Sequence, residues 1–269
     1  MSDYKKKTLK EIRSNAKGQL VGRYSIAMFV TLTISIIQMF ALSLAESTYT
    51  GSIRTYLLRF IISIIIDLLT GILLYGQSRF YLNFVRNVQP LKASDMFYGF
   101  KHEMDKAVLI QGVFTLASVI SSIPAVLISV EIITISESTY ETVSLLIYAL
   151  NFLLIFIANL FFGLSFCVLN DNPDLSVTEV LKESMRLMQK KKGRYILLCL
   201  SAFPLFLLGF CACFVGIFWV AAYYRVLLTN FYLDAIDEEV TLPYNDTEPA
   251  KENSEPTKEN SEGSDNFNY

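Results

Sequence analysis

Asp67 is an acidic residue near the middle of a long apolar run, within Ile64-Ile65-Ile66-Asp67-Leu68-Leu69. An ionised carboxylate at the centre of a bilayer costs at least about 2.5 kcal/mol, so such groups usually face a partner or a wet cavity. The residue is therefore a candidate proton or cation site. Two structural alternatives remain open: a protonated carboxyl bonded between helices, or a helix shifted so that Asp67 lies shallower.

Amide side chains in other apolar runs are the expected partners of Asp67. Asn151 and Asn159 are eight positions apart and share a helix face, although such amides more often join helices than bind ligands. Arg225 is a further candidate, which we expect near the cytoplasmic end of the last span with its charge reaching towards the headgroups. The predicted intramembrane polar site comprises Asp67, Asn151, Asn159, Gln38 and Gln111.

A second set of candidates consists of lysines beside amphipathic segments. Near a membrane surface, each would attract anionic headgroups by about 1 kcal/mol. The alternative is that these lysines only set the orientation of the chain. The candidate lipid contacts are Lys5, Lys6, Lys7, Lys190, Lys191 and Lys192.

Other recognisable chemistry is missing from the sequence. The four cysteines lie in apolar runs without zinc or redox spacing, and the one histidine, His102, lies in a polar connection. The sequence contains no phosphate-binding loop, HExxH motif or nucleophile elbow. We therefore predict no metal, no cofactor, no nucleic-acid partner and no enzymatic activity.

The apolar runs that contain these residues predict an all-α, polytopic transmembrane helical bundle. Hydrophobic residues make up 53% of the chain and the mean hydropathy is +0.42, and a span needs about 20 apolar residues. Residues 24–45 could instead form a signal peptide, but the run and its leader are longer than usual. The six predicted spans are 24–45, 57–76, 107–130, 143–169, 195–211 and 214–233.

The last two spans come from one run, residues 195–233, in which only Arg225 is charged. A single helix of that length would extend nearly 60 Å, about twice the hydrocarbon thickness. Two spans joined by a tight hairpin between Gly209 and Gly216 fit better. The alternative is a five-span protein that ends in one long kinked helix.

Basic residues predict the orientation. Eighteen Lys or Arg fall in residues 1–23, 77–106 and 170–194, against two in residues 46–59 and none in 131–142. The positive-inside rule therefore places the basic segment 1–23 in the cytoplasm, and six spans return the C-terminus there. The acidic, low-complexity tail 234–269 is predicted to be disordered.

Each basic segment combines a short amphipathic helix with a following span. Its apolar positions recur at helical spacing, and Ser176 with Glu179 forms a capping box before the third helix. We interpret the chain as three units, each an interfacial helix and a two-span hairpin. The apolar positions are Leu9, Ile12, Ala16 and Leu20, then Phe97, Phe100, Met104 and Ala107, then Val177, Val180, Leu181, Met185 and Met188.

Three stretches of the chain form a recognisable pattern. They are Leu9-Lys10-Glu11-Ile12-Arg13 with Ala16-Lys17-Gly18, then Met96-Phe97-Tyr98-Gly99-Phe100-Lys101, and then Asp171-Asn172-Pro173-Asp174-Leu175-Ser176 with Leu181-Lys182-Glu183-Ser184, Leu187-Met188 and Phe231-Tyr232. With these stretches, the layout from Leu9 to Leu233 resembles a bacterial integral membrane family called domain of unknown function 975. Lys190 stands where that family often has glycine. The resemblance implies a multi-pass protein of a bacterial plasma membrane and transfers no activity.

Three functional hypotheses follow. The leading one is a non-enzymatic membrane protein whose partners are membrane lipids or other envelope proteins, based on the basic amphipathic segments. The alternative is a small transporter or channel with Asp67 in its path. A weaker alternative is an immunity or stress protein that protects the membrane.

Overall fold

The structure is a computed structural model that describes residues 7–129, 137–189, 191–211 and 215–236, and in these ranges it is helical without strands. The predicted all-α fold is thus confirmed. In chain order the elements are α1 (Leu9–Leu20), α2 (Tyr24–Glu46), α3 (Ile53–Val85), a 3₁₀ helix (Ala93–Phe100), α4 (Met104–Ser129), α5 (Glu137–Phe162), α6 (Ser165–Asp171), α7 (Val177–Gln189), α8 (Lys192–Cys211) and α9 (Val215–Ala235).

Five stretches in the described ranges are long and apolar enough to cross a membrane: α2, α3, α4, α5 continued by α6, and α8. The α3 helix has 33 residues, so it extends beyond the predicted span 57–76 at both ends. The predicted span 143–169 is divided between α5 and α6. The α9 helix has 21 residues, but its polar side chains, among them Arg225, Asn230 and Asp234, lower its hydropathy.

The α8 and α9 helices pack side by side as a hairpin. The Cys199 thiol lies 3.5 Å from the Tyr224 hydroxyl, and the Phe206 ring centroid is 6.0 Å from that of Tyr224. At the other end, a Cβ built on Gly209 would approach the carbonyl carbon of Gly216 to 2.9 Å. This antiparallel pairing excludes the alternative of one long kinked helix and agrees with the predicted hairpin.

All three basic segments lie at one end of the bundle, here called the basal end, where hydrogen bonds and ion pairs join them. Because α9 returns to this end, the described residues nearest the two termini also meet there, and the Lys7 N–H donates to Asp234 at 2.9 Å. The pairs that join the segments are Arg23–Asn87 (2.6 Å), Arg86–Asp171 (2.6 Å), Lys106 to the Pro173 carbonyl (2.6 Å) and Arg194–Asp234 (2.9 Å).

Asp234 corrects the predicted boundary of the tail. It was expected to begin a disordered segment, but it lies in the last turn of α9 and its side chain is 1% exposed. The residue is held there by the basic groups of the basal end. The rest of the predicted tail, residues 237–269, lies outside the described residues.

The basal end also contains most of the buried apolar side chains. We call this group the basal core, represented by Leu20, Phe80, Phe84, Met188 and Phe231, all completely buried. Towards the opposite end, α2, α5 and α8 expose large apolar side chains such as Phe40, Phe152 and Phe203. Such surfaces suit contact with lipid hydrocarbon.

The apolar faces of α1 and α7 belong to the basal core. Ile12, Ala16 and Leu20 of α1 and Val180 and Met188 of α7 are at most 1% exposed. Both amphipathic helices were predicted, but their apolar faces pack on the ends of the spans instead of entering lipid.

The second predicted amphipathic helix is wrong in its details. It is a short 3₁₀ helix in which Phe97 and Phe100 are exposed, while Met104 begins α4. Its packing on α3 depends on glycines, since Gly76 faces the carbonyl of Met96. The packing of this segment on α3 therefore includes close backbone contacts, which apolar periodicity cannot reveal.

Candidate functional site

The candidate site begins with a close contact between α3 and α4. A Cβ built on Gly71 would lie 2.5 Å from the Cβ of Gln111 and 2.8 Å from the carbonyl oxygen of Ala107. Only glycine lets the two backbones approach this closely. The contact lies one helical turn from Asp67, so it places the side chain of Gln111 beside that carboxylate.

Two α4 side chains donate hydrogen bonds to Asp67. Gln111 Nε2 is 3.2 Å from Asp67 Oδ1, and Thr115 Oγ1 is 2.6 Å from Asp67 Oδ2. The Thr115 distance is typical of a hydroxyl that bonds to a charged carboxylate. Gln111 and Thr115 are 6% and 5% exposed, whereas Asp67 is only half-buried. The carboxylate is thus held from one side and accessible from another.

The α4 helix carries a polar stripe that the sequence analysis found only in part. Gln111, Thr115, Ser118 and Ser122 are spaced by four, three and four residues, which places them on one helix face. The last three line the same cavity as Asp67. The helical spacing of these hydroxyl residues within an apolar run was the available signal.

The cavity at Asp67 has a volume of about 290 Å³ and lies among α2, α3, α4 and α5. A second cavity of about 720 Å³ lies next to it, and Phe60 and Ser122 border both. The second cavity extends to Glu46 and Arg59, which form an ion pair at 2.7 Å where α2 ends and α3 begins. We call the two cavities together the outer crevice.

The mouth of the outer crevice is polar and aromatic. The Arg59 guanidinium lies 5.2 Å from the ring centroid of Tyr56 and 5.8 Å from that of Tyr49, while Tyr140 and Tyr148 border the same cavity from α5. The Glu46–Arg59 ion pair and the tyrosine hydroxyl groups make this mouth polar, so water can occupy it.

The other predicted members of the polar site divide between two places. Asn151 lines the Asp67 cavity and donates to Ser121 Oγ at 2.8 Å. Asn159 donates to the Ile155 carbonyl of its own helix and lines a different cavity, together with Arg225. Among the described residues, no hydrogen bond joins Gln38 or Asn151 to Asp67. The structure thus brings Gln111 and, through the cavity, Asn151 to Asp67.

The predicted lipid-contacting lysines have varied surroundings. Lys191 is buried and donates to the carbonyls of Asp234 and Ala235 at 3.1 and 2.9 Å, which fixes the end of α9. The Lys192 ammonium lies 3.8 Å from the centroid of the Phe161 ring. Lys7 is half-buried, and its backbone bonds to Asp234 and Arg194. Lys5, Lys6 and Lys190 lie outside the described residues.

Comparison with protein families gives one result. The model of a family described as "Protein of unknown function (DUF975)" matches residues 1–239. The chain belongs to the DUF975 family. No curated protein and no solved structure matches it.

In this DUF975 protein, the described ranges hold no cluster of three or more His, Cys, Asp or Glu side chains that could bind a metal. The Asp67 site instead combines one carboxylate with hydroxyl and amide groups. These groups offer oxygen atoms that can bind a proton or a hard cation.

Proposed function

We propose that this DUF975 protein is a non-enzymatic transporter of the bacterial plasma membrane that binds a proton or a monovalent cation at Asp67. The observation that carries the proposal is the position of this carboxylate in a cavity that adjoins the larger, polar cavity at the outer end of the bundle. An intramembrane carboxylate is costly to maintain, and one that borders a wet cavity is a functional site by default.

The hydrogen bonds at Asp67 suit both of its protonation states. Besides contacting Asp67, Thr115 Oγ1 lies 3.1 Å from the Gln111 carbonyl oxygen. When Asp67 is ionised, the one hydroxyl proton of Thr115 bonds to the carboxylate. When Asp67 is protonated, it donates to Thr115 Oγ1, and the hydroxyl proton turns to the Gln111 carbonyl. The site can thus accept and release a proton without leaving a buried polar atom unbonded.

The oxygen-rich lining also supports binding of an alkali cation. Hydroxyl and carboxylate oxygens are hard ligands, unlike thiolate or imidazole. Among the residues that the structure describes, Asp67 is the only carboxylate that lines the 290 Å³ cavity, and one negative charge balances a monovalent cation but not a divalent one. Ser63, Ser118 and Ser122 line the same cavity and supply further hydroxyl oxygens.

The direction of access follows from the position of the basic segments. They lie at the basal end, and the positive-inside rule assigns that end, with both termini, to the cytoplasm. The outer crevice then opens away from the cytoplasm. Since the basal core closes the other end, transport requires the helices to separate there.

The competing hypothesis of lipid binding through the amphipathic segments has less support. The apolar faces of α1 and α7 lie in the basal core, so they have little apolar surface left for a bilayer. Lys191 is engaged with backbone carbonyls. The outer crevice is therefore the stronger basis for a function.

The test is ion uptake by purified protein in liposomes that contain a pH-sensitive dye. A potassium diffusion potential, negative inside, drives protons inward, and a parallel experiment follows radioactive Na⁺. We expect uptake of one of the two ions above the rate of protein-free liposomes. Asp67→Asn should reduce that uptake to the rate of protein-free liposomes. The amide does not take up a proton near neutral pH and has no negative charge to balance a cation.

The matched control is Asp105→Asn, since Asp105 is an exposed carboxylate in the first turn of α4, away from the outer crevice. This variant should behave as the unmodified protein does. Uptake of neither ion by the unmodified protein, or unchanged uptake by Asp67→Asn, would overturn the proposal.

A further inference from the structure

A second groove lies between α5, α8 and α9. Its outer part is a cavity of about 450 Å³, bordered largely by aromatic and aliphatic side chains that include Phe152, Phe156, Leu200 and Phe203. The exposed fractions of Phe152, Leu200 and Phe203 are 72%, 63% and 65%. In a membrane this part of the groove faces lipid hydrocarbon.

The inner part of the groove is polar. A cavity of about 280 Å³ adjoins the first one, and Asn159, Tyr195, Phe206 and Tyr224 border both. Arg225 also lines this inner cavity. The groove therefore changes from an apolar surface to a cationic pocket along its length.

Arg225 lies in the middle of α9, ten residues from Val215 and ten from Ala235. The sequence analysis predicts it near the cytoplasmic end of its span, and α9 continues from Arg225 to Ala235 at the basal end. At 1.5 Å per residue, each end of the helix is about 15 Å away. A guanidinium that is partly buried between helices is costly to maintain unless a partner offsets its charge.

The described part of the chain supplies no such partner. The ion pairs and hydrogen bonds of the described residues do not include the Arg225 guanidinium, although the residue is only half-buried and faces the pocket. Guanidinium is a planar fork that matches carboxylate and phosphate groups. The Arg225 guanidinium is thus available to bind an anion in this pocket.

We propose that this groove binds one anionic phospholipid of the surrounding bilayer, with its phosphate on Arg225 and an acyl chain against Phe152, Leu200 and Phe203. A ligand that enters from hydrocarbon must carry an apolar part, and the cation selects an acidic headgroup. The Tyr224 hydroxyl and the Asn159 amide, which border the same pocket, supply further polar groups. The inference does not depend on the proposed function, since Asp67 lines a different cavity.

The test uses tryptophan fluorescence in liposomes. Trp219 is the one tryptophan of the chain and does not line this groove. A chain with Trp219→Phe and Phe203→Trp carries its reporter in the groove. Phospholipids with brominated acyl chains quench a tryptophan that they contact, so phosphatidylglycerol and phosphatidylcholine are compared at equal fractions in unbrominated phosphatidylcholine.

We expect brominated phosphatidylglycerol to reach half-maximal quenching at a membrane fraction about tenfold lower than brominated phosphatidylcholine. A charge-assisted hydrogen bond accounts for a factor of that size. Arg225→Gln should abolish the preference, and Arg225→Lys should retain part of it, because it keeps the charge but loses the fork. Arg54→Gln, which removes an exposed arginine near the start of α3, should leave the preference intact.

Equal quenching by the two lipids in the reporter chain would overturn the proposal, and so would an undiminished preference in folded Arg225→Gln protein. If that variant does not fold, native mass spectrometry of the unmodified protein from a mixed bilayer gives the decision. One retained phosphatidylglycerol supports the proposal, and no preferential retention overturns it.

Discussion

Gly71 on α3 contacts Gln111 on α4 so closely that a Cβ on the glycine would lie 2.5 Å from the Cβ of Gln111. This contact determines how near α4 comes to Asp67, which lies one turn away on α3. The hydrogen bonds to Asp67 at 2.6 and 3.2 Å depend on that spacing. The site is therefore sensitive to the width of a helix contact outside it.

We expect Gly71→Ala to separate α3 from α4 and to weaken the Gln111–Asp67 bond. Overpacking of a close contact costs about 1–3 kcal/mol, so the protein should unfold at a lower temperature in detergent and lose ion uptake in liposomes. Gly112→Ala is the control, because its Cβ would lie 3.7 Å from a Leu68 methyl group, an ordinary contact. Equal unfolding temperatures for the two variants would contradict this account of the contact.

The outer crevice should contain water that is continuous with the outside. In a chain without its four native cysteines, Ser122→Cys places a thiol where the two cavities adjoin. We expect a membrane-impermeant thiosulfonate added to intact cells to modify it, because thiolates form in water but not in lipid. Leu116→Cys should not react, although Leu116 is 60% exposed, since that surface faces hydrocarbon. An unreactive Ser122→Cys thiol would show that the crevice is not an aqueous path.

The helices and the hairpin could be predicted because they follow from local patterns. Apolar runs longer than the bilayer thickness predict spans, and residues 195–233 are too long for one. Asp67 was prominent as a carboxylate within such a run, and Gln111 was among its expected partners. Sequence alone could not distinguish Gln111 from Gln38, because that choice depends on the close contact at Gly71.

Burial of charged residues at the basal end could not be predicted. Asp234 begins a strongly acidic segment and Lys191 lies in a run of lysines, so composition assigned both to solvent or headgroups. Their burial depends on α8 and α9 meeting α1, a relationship between residues far apart in the chain.

The Arg194–Asp234 ion pair should contribute strongly to stability. The Asp234 side chain is 1% exposed and that of Arg194 is 27% exposed, at a distance of 2.9 Å. Removing one partner of a buried pair lowers the free energy of unfolding by about 3–5 kcal/mol. Because Arg194 is partly exposed, we expect the loss caused by Arg194→Gln to lie near the lower end of that range. The measurement is the unfolding midpoint in mixed micelles with increasing dodecyl sulfate.

Arg186→Gln is the matched control for that substitution. Arg186 pairs with Glu183 on the surface of α7, and its side chain is 71% exposed. Exposed pairs of this kind contribute little, so the midpoint should stay close to that of the unmodified protein. Similar shifts for the two variants would mean that burial does not strengthen the Arg194–Asp234 pair.

The start of α7 predicts a defined pH dependence. Glu179 accepts the Ser176 hydroxyl at 2.7 Å and the Ser176 N–H at 2.9 Å, and these bonds hold the pKa of the Glu179 carboxyl below its usual value. A carboxyl whose pKa is lowered by folding stabilises the protein above its unfolded pKa of about 4.3 and loses that effect as the pH falls through the folded value. Ser176→Ala removes the hydroxyl bond, so the pKa of Glu179 should rise.

The difference in unfolding temperature between the unmodified protein and Ser176→Ala should be present at pH 7 and should shrink as the pH falls below about 4.3 and through the lowered pKa of Glu179 in the unmodified protein. Other carboxyl groups titrate alike in the two proteins and cancel in the difference. Ser184→Ala on the same helix is the control: Ser184 donates to the Phe161 carbonyl, a group that does not titrate, so its effect should not change with pH. A Ser176→Ala difference that stays constant from pH 7 to pH 3 would mean that the hydroxyl stabilises α7 without acting on the Glu179 carboxylate.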